Sequence, residues 1–406
     1  MNNKQSISHI IEKYNIKEIE RCPFPTGILY VDLNVLQSNI EEIKKHTSKV
    51  RPRNNVKFLF PIKANAYGHG IIPVAKFIEN QKICDYFGVA HLQEAMELRQ
   101  NEIKIPILIL GQSFCEHKQL KAIVQNEIEQ EISDEQLLYA LNNEAKKLNK
   151  IAKIHLSIDT GMGRNGVLFD NISPFLDKIL KCENIQLVGV MTHFPIADVS
   201  DKFSIKYTSN QIECFTKVKN MIIGKFSGDI TFHTSNSGGT IEHTANIFNM
   251  IRPGIASYGY PEHNFGLQLK PVMELKTKIS LIKKYPKGHC IGYGCTYKTQ
   301  EESENIGIVP IGYGDGLSRS LSNKLTLIIN GRKEKSLGRL SMDQFATSVG
   351  KNTQVGDEVI IIGSKGKIFT SVYDVASKSD TITYEVLCNL GNAKRIRHEY
   401  VYNGKG

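Results

Sequence analysis

The chain has 406 residues, 41% of them hydrophobic and 23% charged, with a net charge of +10. That length exceeds one small module and suits two domains, or one barrel with an appendage. The ordinary balance of apolar and charged residues excludes a disordered or fibrous chain. No apolar run reaches the ~20 residues that a membrane-spanning helix needs. The N-terminal segment lacks the unbroken apolar core of a secretory signal, so cytoplasmic residence is expected. Basic residues are scattered, and the densest group is Lys394, Arg395 and Arg397. This reads as a lysine-rich background and not as a nucleic-acid surface. Eight cysteines occur with no CxxC and no Cys/His set at zinc spacing, so reduced thiols and no metal site are expected. Cys290 and Cys295 flank IGYG and read as two strand residues, not a disulfide.

Residues 1–26 read as an N-terminal extension. Ile7, Ile10, Ile11, Tyr14 and Ile19 keep near-helical spacing there, which predicts a short amphipathic helix. From 27 to 272, short apolar runs alternate with helical patterns. The runs are GILYVDL (27–33), KFLFPIK (57–63), YFGVA (86–90), IPILILG (105–111), KIHLSID (153–159), IQLVGVMT (185–192) and DITFHTS (229–235). Between them stand stretches such as VLQSNIEEIKKH (35–46), LQEAMELRQ (92–100) and SDEQLLYALNNEAKKL (133–148). Strand–helix alternation over this length predicts a parallel sheet with helical crossovers, closed as a (β/α)8 TIM-like barrel. A doubly wound open sheet is the alternative, but no strand is followed by GxGxxG. The first run, 27–33, is a candidate to pair with the C-terminal domain instead.

From 273 to 406 the pattern changes to strand-like runs separated by Gly, Asn and charged turns, among them ENIGIVPIGYG, KLTLIINGRKEK and DEVIIIGSKGKIF. Helical patterning returns at SVYDVASKS (371–379) and TITYEVLCNLG (381–391). This part reads as a mostly β domain.

Chemistry concentrates first in FPIKANAYGHG (60–70), where Lys63 ends a strand-like run and enters a Gly-rich loop. Barrel active sites lie at the C-terminal ends of strands. A lysine partly desolvated there has a lowered pKa and can form a Schiff base with a carbonyl. KANAYGHG resembles the cofactor-lysine signature of the alanine racemases, pyridoxal-phosphate enzymes built from a barrel and a β domain. Further segments match that family in the same order: HLSIDTGMGRNGV (155–167), MTHF (191–194), TSNSGGT (234–240), IRPGIASYG (251–259), IGYGCTY (291–297), PIGYGDGLSR (310–319), GRLSMDQ (338–344) and TITYEVLC (381–388). The resemblance covers about residues 27–400, and only KRIRHEYV near the end matches loosely, which is expected to affect the far edge of the β domain.

The resemblance implies interconversion of L- and D-alanine by a homodimer with shared active sites, supplying D-alanine for peptidoglycan. Racemisation breaks and remakes a Cα–H bond, so it needs an electron sink, supplied by pyridoxal phosphate, and a proton carrier on each face of a planar carbanion. By resemblance, Lys63 binds the cofactor and serves one face, and Tyr293 from the partner subunit serves the other. His193 is implied in a hydrogen-bond chain from Tyr293 to Arg252, and Arg252 to face the pyridine nitrogen. Arginine stays protonated, so it disfavours a proton on that nitrogen and leaves the carbanion short-lived. Ser237, the backbone amides of Gly254 and Ile255, and the hydroxyls of Tyr67 and Tyr384 are implied to hold the phosphate. The small residues around Ser237 are expected to let those amides approach. Arg164 is implied at the cofactor's phenolic oxygen and the substrate carboxylate, Met342 from the other subunit at that carboxylate through its N–H, and Tyr313 at the narrow substrate entrance.

One departure matters. Ser157 stands where resembling enzymes commonly carry a carbamylated lysine that gives Arg164 a negative partner. A chloride, a water chain or a nearby carboxylate would fill the gap, and chloride is the expectation adopted. Three alternatives accompany the reading: a racemase of another or a broader set of amino acids, a barrel-containing decarboxylase, and a non-catalytic pyridoxal-phosphate-binding protein.

Overall fold

The computed structural model describes residues 25–50, 56–243, 247–263 and 266–402. The helix expected around Ile7–Ile19 lies outside them. The described residues form two compact units: those of Leu36–Ala64 with Ala75–Lys270, and those up to Val35 with Asn65–Val74 and those after Lys270. This differs from the single division after residue 272 expected from the sequence, because Gly27–Asp32 and the segment Asn65–Val74 pack with the C-terminal half. The strand β1 (Gly27–Asp32) pairs in the second unit and not in the barrel.

The barrel unit is built on β2 (Lys57–Pro61), β3 (Tyr86–Val89), β4 (Ile107–Ile109), β5 (Glu129–Ile132), β6 (Ala152–Asp159), a short β7 (Val167–Leu168) beside it, β8 (Ile185–Met191), β9 (Thr231–His233) and β10 (Met250–Ile251). Eight strands lie in the order β10-β2-β3-β4-β5-β6-β8-β9, and every pairing is parallel. Two backbone bonds bring the ends together: Asn249 N–H donates to Phe232 O (2.9 Å) and Arg252 N–H to Ser235 O (2.8 Å). Strands such as β4 and β9 are buried at every residue, as expected when helices cover a parallel sheet. Leu59, Leu108, Met191 and Met250 form one core cluster from four strands. Phe60 packs on Phe87 and Tyr258, and the Tyr258 hydroxyl donates to Pro61 O at 3.0 Å. Among the described residues, no helix is long and apolar enough to cross a membrane.

The second unit holds a ten-stranded, mostly antiparallel sheet. Its later strands are β11 (Met273–Lys278), β12 (Leu281–Pro286), β15 (Ser303–Val309), β16 (Thr326–Ile329), β17 (Arg332–Leu337), β18 (Phe345–Ser348), β19 (Glu358–Lys365), β20 (Ile368–Thr370) and β21 (Ile396–Val401), while β13 (Cys290–Ile291) and β14 (Tyr297–Lys298) pair by themselves. β1 lies antiparallel to β11 and parallel to β21. Cys290 is on β13, but Cys295 lies in a 3-10 turn, not in the strand expected for it, because Gly292 and Gly294 take φ of 69° and 71° and curl the chain. The described cysteines are free thiols.

The segment after Lys63 is a left-handed turn, not merely a loop. Ala64, Asn65, Ala66 and Tyr67 have φ of 52°, 56°, 55° and 53°. For L-residues that conformation costs about 1–2 kcal/mol each, so surrounding bonds must over-determine it. Asn65 Nδ2 donates to Gly391 O (3.1 Å), its Oδ1 accepts from Ile71 N–H (2.8 Å), and its carbonyl accepts from Gly70 N–H (2.9 Å). His398 Nε2 bonds Gly68 O at 2.8 Å. The turn closes on Gly68, with φ of 82°, where an added Cβ would lie 2.2 Å from Leu387 O. Gly68→Ala should therefore destabilise the protein by about 2–4 kcal/mol, through strain and overpacking together. Gly331→Ala is the control: its φ is 74° in a hairpin turn but nothing lies within 4 Å, so it should cost only about 1 kcal/mol. Equal losses in chemical denaturation would contradict this account.

Candidate active site

Within the barrel unit, the residues singled out in the sequence gather at the C-terminal ends of strands. Lys63 follows β2, Arg164 follows β6, His193 follows β8, Ser237 follows β9 and Arg252 follows β10. Arg252 is 4% exposed. Its Nη2 donates to Thr192 O (2.7 Å) and Thr234 O (3.2 Å) and stands 3.5 Å from His193 Nδ1, while Nη1 donates to His233 Nδ1 at 2.7 Å. Burial pushes the guanidinium down to about 10, against the pull of Glu131, so it remains charged at neutral pH. Burial, followed by the positive charges of Arg252, Arg164 and Lys63, pushes His193 down to about 3. These cations are thus near enough to act on one imidazole. The Arg164 loop is pinned by Asp159, whose Oδ1 accepts from Gly161 N–H (2.9 Å) and Gly163 N–H (3.1 Å).

The TSNSGGT segment begins a five-residue helix, Ser237–Ile241, capped by Asn236, which accepts from Gly239 N–H. A Cβ on Gly238 would meet Asp198 N at 2.8 Å, and one on Gly239 would meet Phe194 at 2.8 Å, so close packing against the protein demands them. Ser237 Oγ accepts from Ala256 N–H at 3.3 Å. The buried N–H groups of Gly254 and Ile255 reach no acceptor among the described residues, unlike those of Arg252 and Ala256 on either side. Two adjacent buried donors beside a serine hydroxyl fit the phosphate of a cofactor.

At Ser157 the structure offers a carboxylate in place of the expected chloride. Glu131 on β5 is 1% exposed. Ser133 Oγ donates to it at 3.3 Å, and Ser157, Asn165 and the charge of Arg164 act to lower its pKa. Burial nevertheless raises its pKa. Glu131 lies near enough for the charge of Arg164 to act on it and for its own charge to act on Arg252.

In the second unit, the Tyr67 and Tyr384 rings lie 6.0 Å apart. Tyr293, Tyr313 and Met342 are 71%, 41% and 54% exposed. Their loops are tied to one another. Tyr313 N–H donates to Ser341 O (3.0 Å) and Gly314 N–H to Met342 O (2.9 Å). Gly338 leaves room for Ile291 O, which would lie 2.4 Å from a Cβ there. Arg395 clamps the same loops, bonding Asp315 (2.8 Å), Asp343 (2.6 Å) and Met342 O (3.3 Å). The loosely matching C-terminal segment therefore reaches the Tyr313 and Met342 loops and not only the far edge of the sheet.

Comparison with known proteins gives this arrangement a family. The family descriptions "Alanine racemase, N-terminal domain" and "Alanine racemase, C-terminal domain" match residues 31–262 and 272–400. The chain belongs to the alanine racemase family. It is 37% identical to an alanine racemase of Halothermothrix orenii, over 91% of this chain and 95% of that protein. A structure of alanine racemase from Bacillus anthracis with bound L-Ala-P superposes with a TM-score of 0.85 at 30% identity, covering 94% of this chain and 96% of the other. A histidine racemase from Leuconostoc mesenteroides, at 22% identity and a TM-score of 0.83 over 94% of this chain and 99% of its own, shares the fold. The protein is an amino-acid racemase. The match of both halves sets aside a barrel-only binding protein.

Sequence reasoning missed several residues of this racemase: Glu129, Glu131, His155, His233 and Arg395. Glu129 and Glu131 lie on EQEI, a polar strand with no apolar run to announce it. The one available signal was their spacing of two, which puts both on one face.

His69, in the turn after Lys63, is fully buried and its Nδ1 meets Ala66 O and Tyr67 O at 3.0 Å each. Burial pushes its pKa down to about 3, overriding those bonds. The folded form therefore holds it neutral while the unfolded chain protonates it near 6.5. The stability this preserves is fully present above about pH 6.5 and is lost as pH falls toward 3, at up to about 1.4 kcal/mol per pH unit. His69→Gln should flatten the pH dependence of urea unfolding below pH 6.5 by about that slope; an unchanged slope would show that His69 is already charged in the folded protein.

Proposed function

We propose that the protein interconverts L- and D-alanine with pyridoxal phosphate, by two bases on opposite faces of the substrate, as a homodimer that supplies D-alanine for peptidoglycan. The observation that carries the reading is a charged, buried Arg252 grouped with His193, Arg164 and Lys63 at the barrel strand ends. Pyridoxal phosphate, when bound, supplies the electron sink that acidifies the substrate Cα–H. Lys63 holds the cofactor and moves a proton at one face of Cα. Arg252 faces the pyridine nitrogen and, staying protonated itself, disfavours a proton there. Ser237, the N–H groups of Gly254 and Ile255, and the hydroxyls of Tyr67 and Tyr384 hold the phosphate. Arg164 orients the cofactor's phenolic oxygen and the substrate carboxylate, with Glu131 as its negative partner. The N–H of Met342 from a second copy of the chain meets the same carboxylate, and Tyr313 narrows the entrance.

Tyr293 serves the other face from a second copy of the chain, linked through His193 to Arg252. Its 71% exposure supports this, since a residue that completes a neighbour's site must stand outward on its own. A neutral His193, held so by burial and neighbouring cations, accepts from one partner and donates to the other without adding charge.

Borohydride treatment of the pyridoxal-phosphate-saturated protein should fix the cofactor to Lys63, read by peptide mapping; an adduct on a different lysine overturns the assignment. Racemisation should be assayed in parallel on each L-amino acid, with alanine fastest.

Tyr293→Phe should lower kcat by about 10²–10⁴, the scale of a lost general base, and leave the cofactor bound. Mixing inactive Lys63→Ala and Tyr293→Phe proteins should restore activity, because one hybrid site holds both bases. Failure to complement, with subunit exchange shown independently, would mean that each site is built from one chain.

A further inference from the structure

Behind Arg252 a row of buried side chains runs deeper into the barrel unit. Arg252 Nη1 donates to His233 Nδ1 (2.7 Å), His233 Nε2 lies 2.8 Å from His155 Nδ1, and His155 Nε2 lies 2.8 Å from Glu129 Oε2. His155 and His233 are fully buried, and Glu129 is 4% exposed. The row crosses four strands or strand ends, β10, β9, β6 and β5. None of these links was assigned a task in the reading above.

The ends of the row fix its direction. A guanidinium only donates and a carboxylate only accepts. His233 Nδ1 must therefore be an acceptor, which leaves the proton of a neutral His233 on Nε2. That proton is donated to His155 Nδ1, so the proton of a neutral His155 is also on Nε2 and is donated to Glu129. One arrangement satisfies every link, with charge only at the two ends. Burial first, and then the charge of Arg252, holds His233 well below its usual value, which agrees with a neutral ring.

The fold is shaped to seat this row. Gly189 on β8 lies opposite His155, at a register shift between Ile154 and His155. A Cβ on Gly189 would lie 2.1 Å from His155 Nδ1 and 2.3 Å from its Cε1, so a bare backbone is needed for the ring to stand there. The Tyr86 ring meets His155 edge-on, with centroids 6.4 Å apart. The charged groups facing Arg252 are then Glu131, acting through space, and Glu129, acting through two imidazoles.

We propose that Glu129, His155 and His233 are positioning residues for Arg252: a one-way hydrogen-bond chain, anchored on a buried carboxylate, that holds the guanidinium in one orientation. A guanidinium with five donors and bonds mainly to backbone carbonyls has more than one way to sit. A directed bond to His233 leaves one. The consequence for turnover rests on the role proposed above for Arg252, but the protonation of the two imidazoles does not.

The test uses the holoenzyme with ¹⁵N-labelled histidine, its signals assigned by single replacements. Both His155 and His233 should be neutral with the proton on Nε2. An imidazolium, or a proton on Nδ1 of either ring, overturns the proposal without any variant having to fold. Glu129→Gln keeps an acceptor of the same shape and removes the charge. It should move the His155 resonance and lower kcat by about tenfold, within the range for coupled neighbours, with KM for alanine little changed. Added to Arg252→Lys, the same substitution should cost nothing further, because its effect passes through the arginine. Losses that multiply in the double variant would show a purely structural role and overturn the proposal. Wild-type racemisation and Lys63 labelling, measured first, report separately on the functional reading.

Discussion

A permanently charged guanidinium inside a closed sheet is the constraint on which the barrel half depends. Removing a buried cation's partner costs about 3–5 kcal/mol, so Arg252 must be surrounded on every side. Two carbonyls, of Thr192 and Thr234, come from the ends of β8 and β9. His233 and, at longer range, Glu131 supply the rest. Those acceptors sit correctly only if β8, β9 and β10 converge, and the backbone bond from Arg252 N–H to Ser235 O draws β10 toward the end of β9. Closing the barrel and burying the charge are the same event seen at two scales.

The same economy of position governs the neighbourhood of Lys63. β2 delivers the lysine to the strand end, and the chain then turns left-handed over four residues that are not glycine. Such a conformation persists only where surrounding bonds outweigh its cost. Asn65 alone supplies three of them, through amide, side-chain oxygen and carbonyl. The conformational cost is concentrated beside Lys63, where a rigid exit from the strand limits the directions in which the side chain can point. Glu94 adds to the hold by accepting from Ala64 N–H at 2.6 Å while also accepting from Ala90 N–H at 2.7 Å.

How much of this was legible depended on what each residue type advertises. Apolar strands such as β2, β4 and β8 are visible as runs, because strands buried on both faces are apolar throughout. The stretch 92–100 is legible as a helix and forms one at those bounds, with Glu94 in its first turn. β5 is invisible by the same rule: EQEI has one aliphatic residue, and its burial comes from polar partners across the barrel. β10 is two residues long and shows no period at all. The left-handed turn could not be read either, since KANA contains no glycine to announce positive φ. Chemistry-bearing residues were recognisable where a motif carried them, as at Lys63 and Arg252. They were missed where the motif named only one end of a network, as with His233 behind Arg252.

Ser157 shows how a substitution at one position is answered at another. A serine cannot carry a negative charge beside Arg164, and the neighbouring strand supplies one. Glu131 lies opposite His155 in the β5–β6 register, close enough for its carboxylate to bond the Ser157 hydroxyl. The serine, the shorter side chain, leaves space for the carboxylate and donates to it. Burial alone would favour a neutral Glu131, and its pKa is indeed raised. The bonds from Ser157, Asn165 and Ser133 and the charge of Arg164 pull the other way. Anything that draws the Arg164 cation nearer strengthens that opposing pull, so the charge on Glu131 and the position of Arg164 are set together. Glu129, two residues earlier on the same face of β5, stands in the corresponding relation to Arg252 through His155 and His233. One short polar strand thus places a carboxylate behind each of the two arginines that the barrel presents at its strand ends.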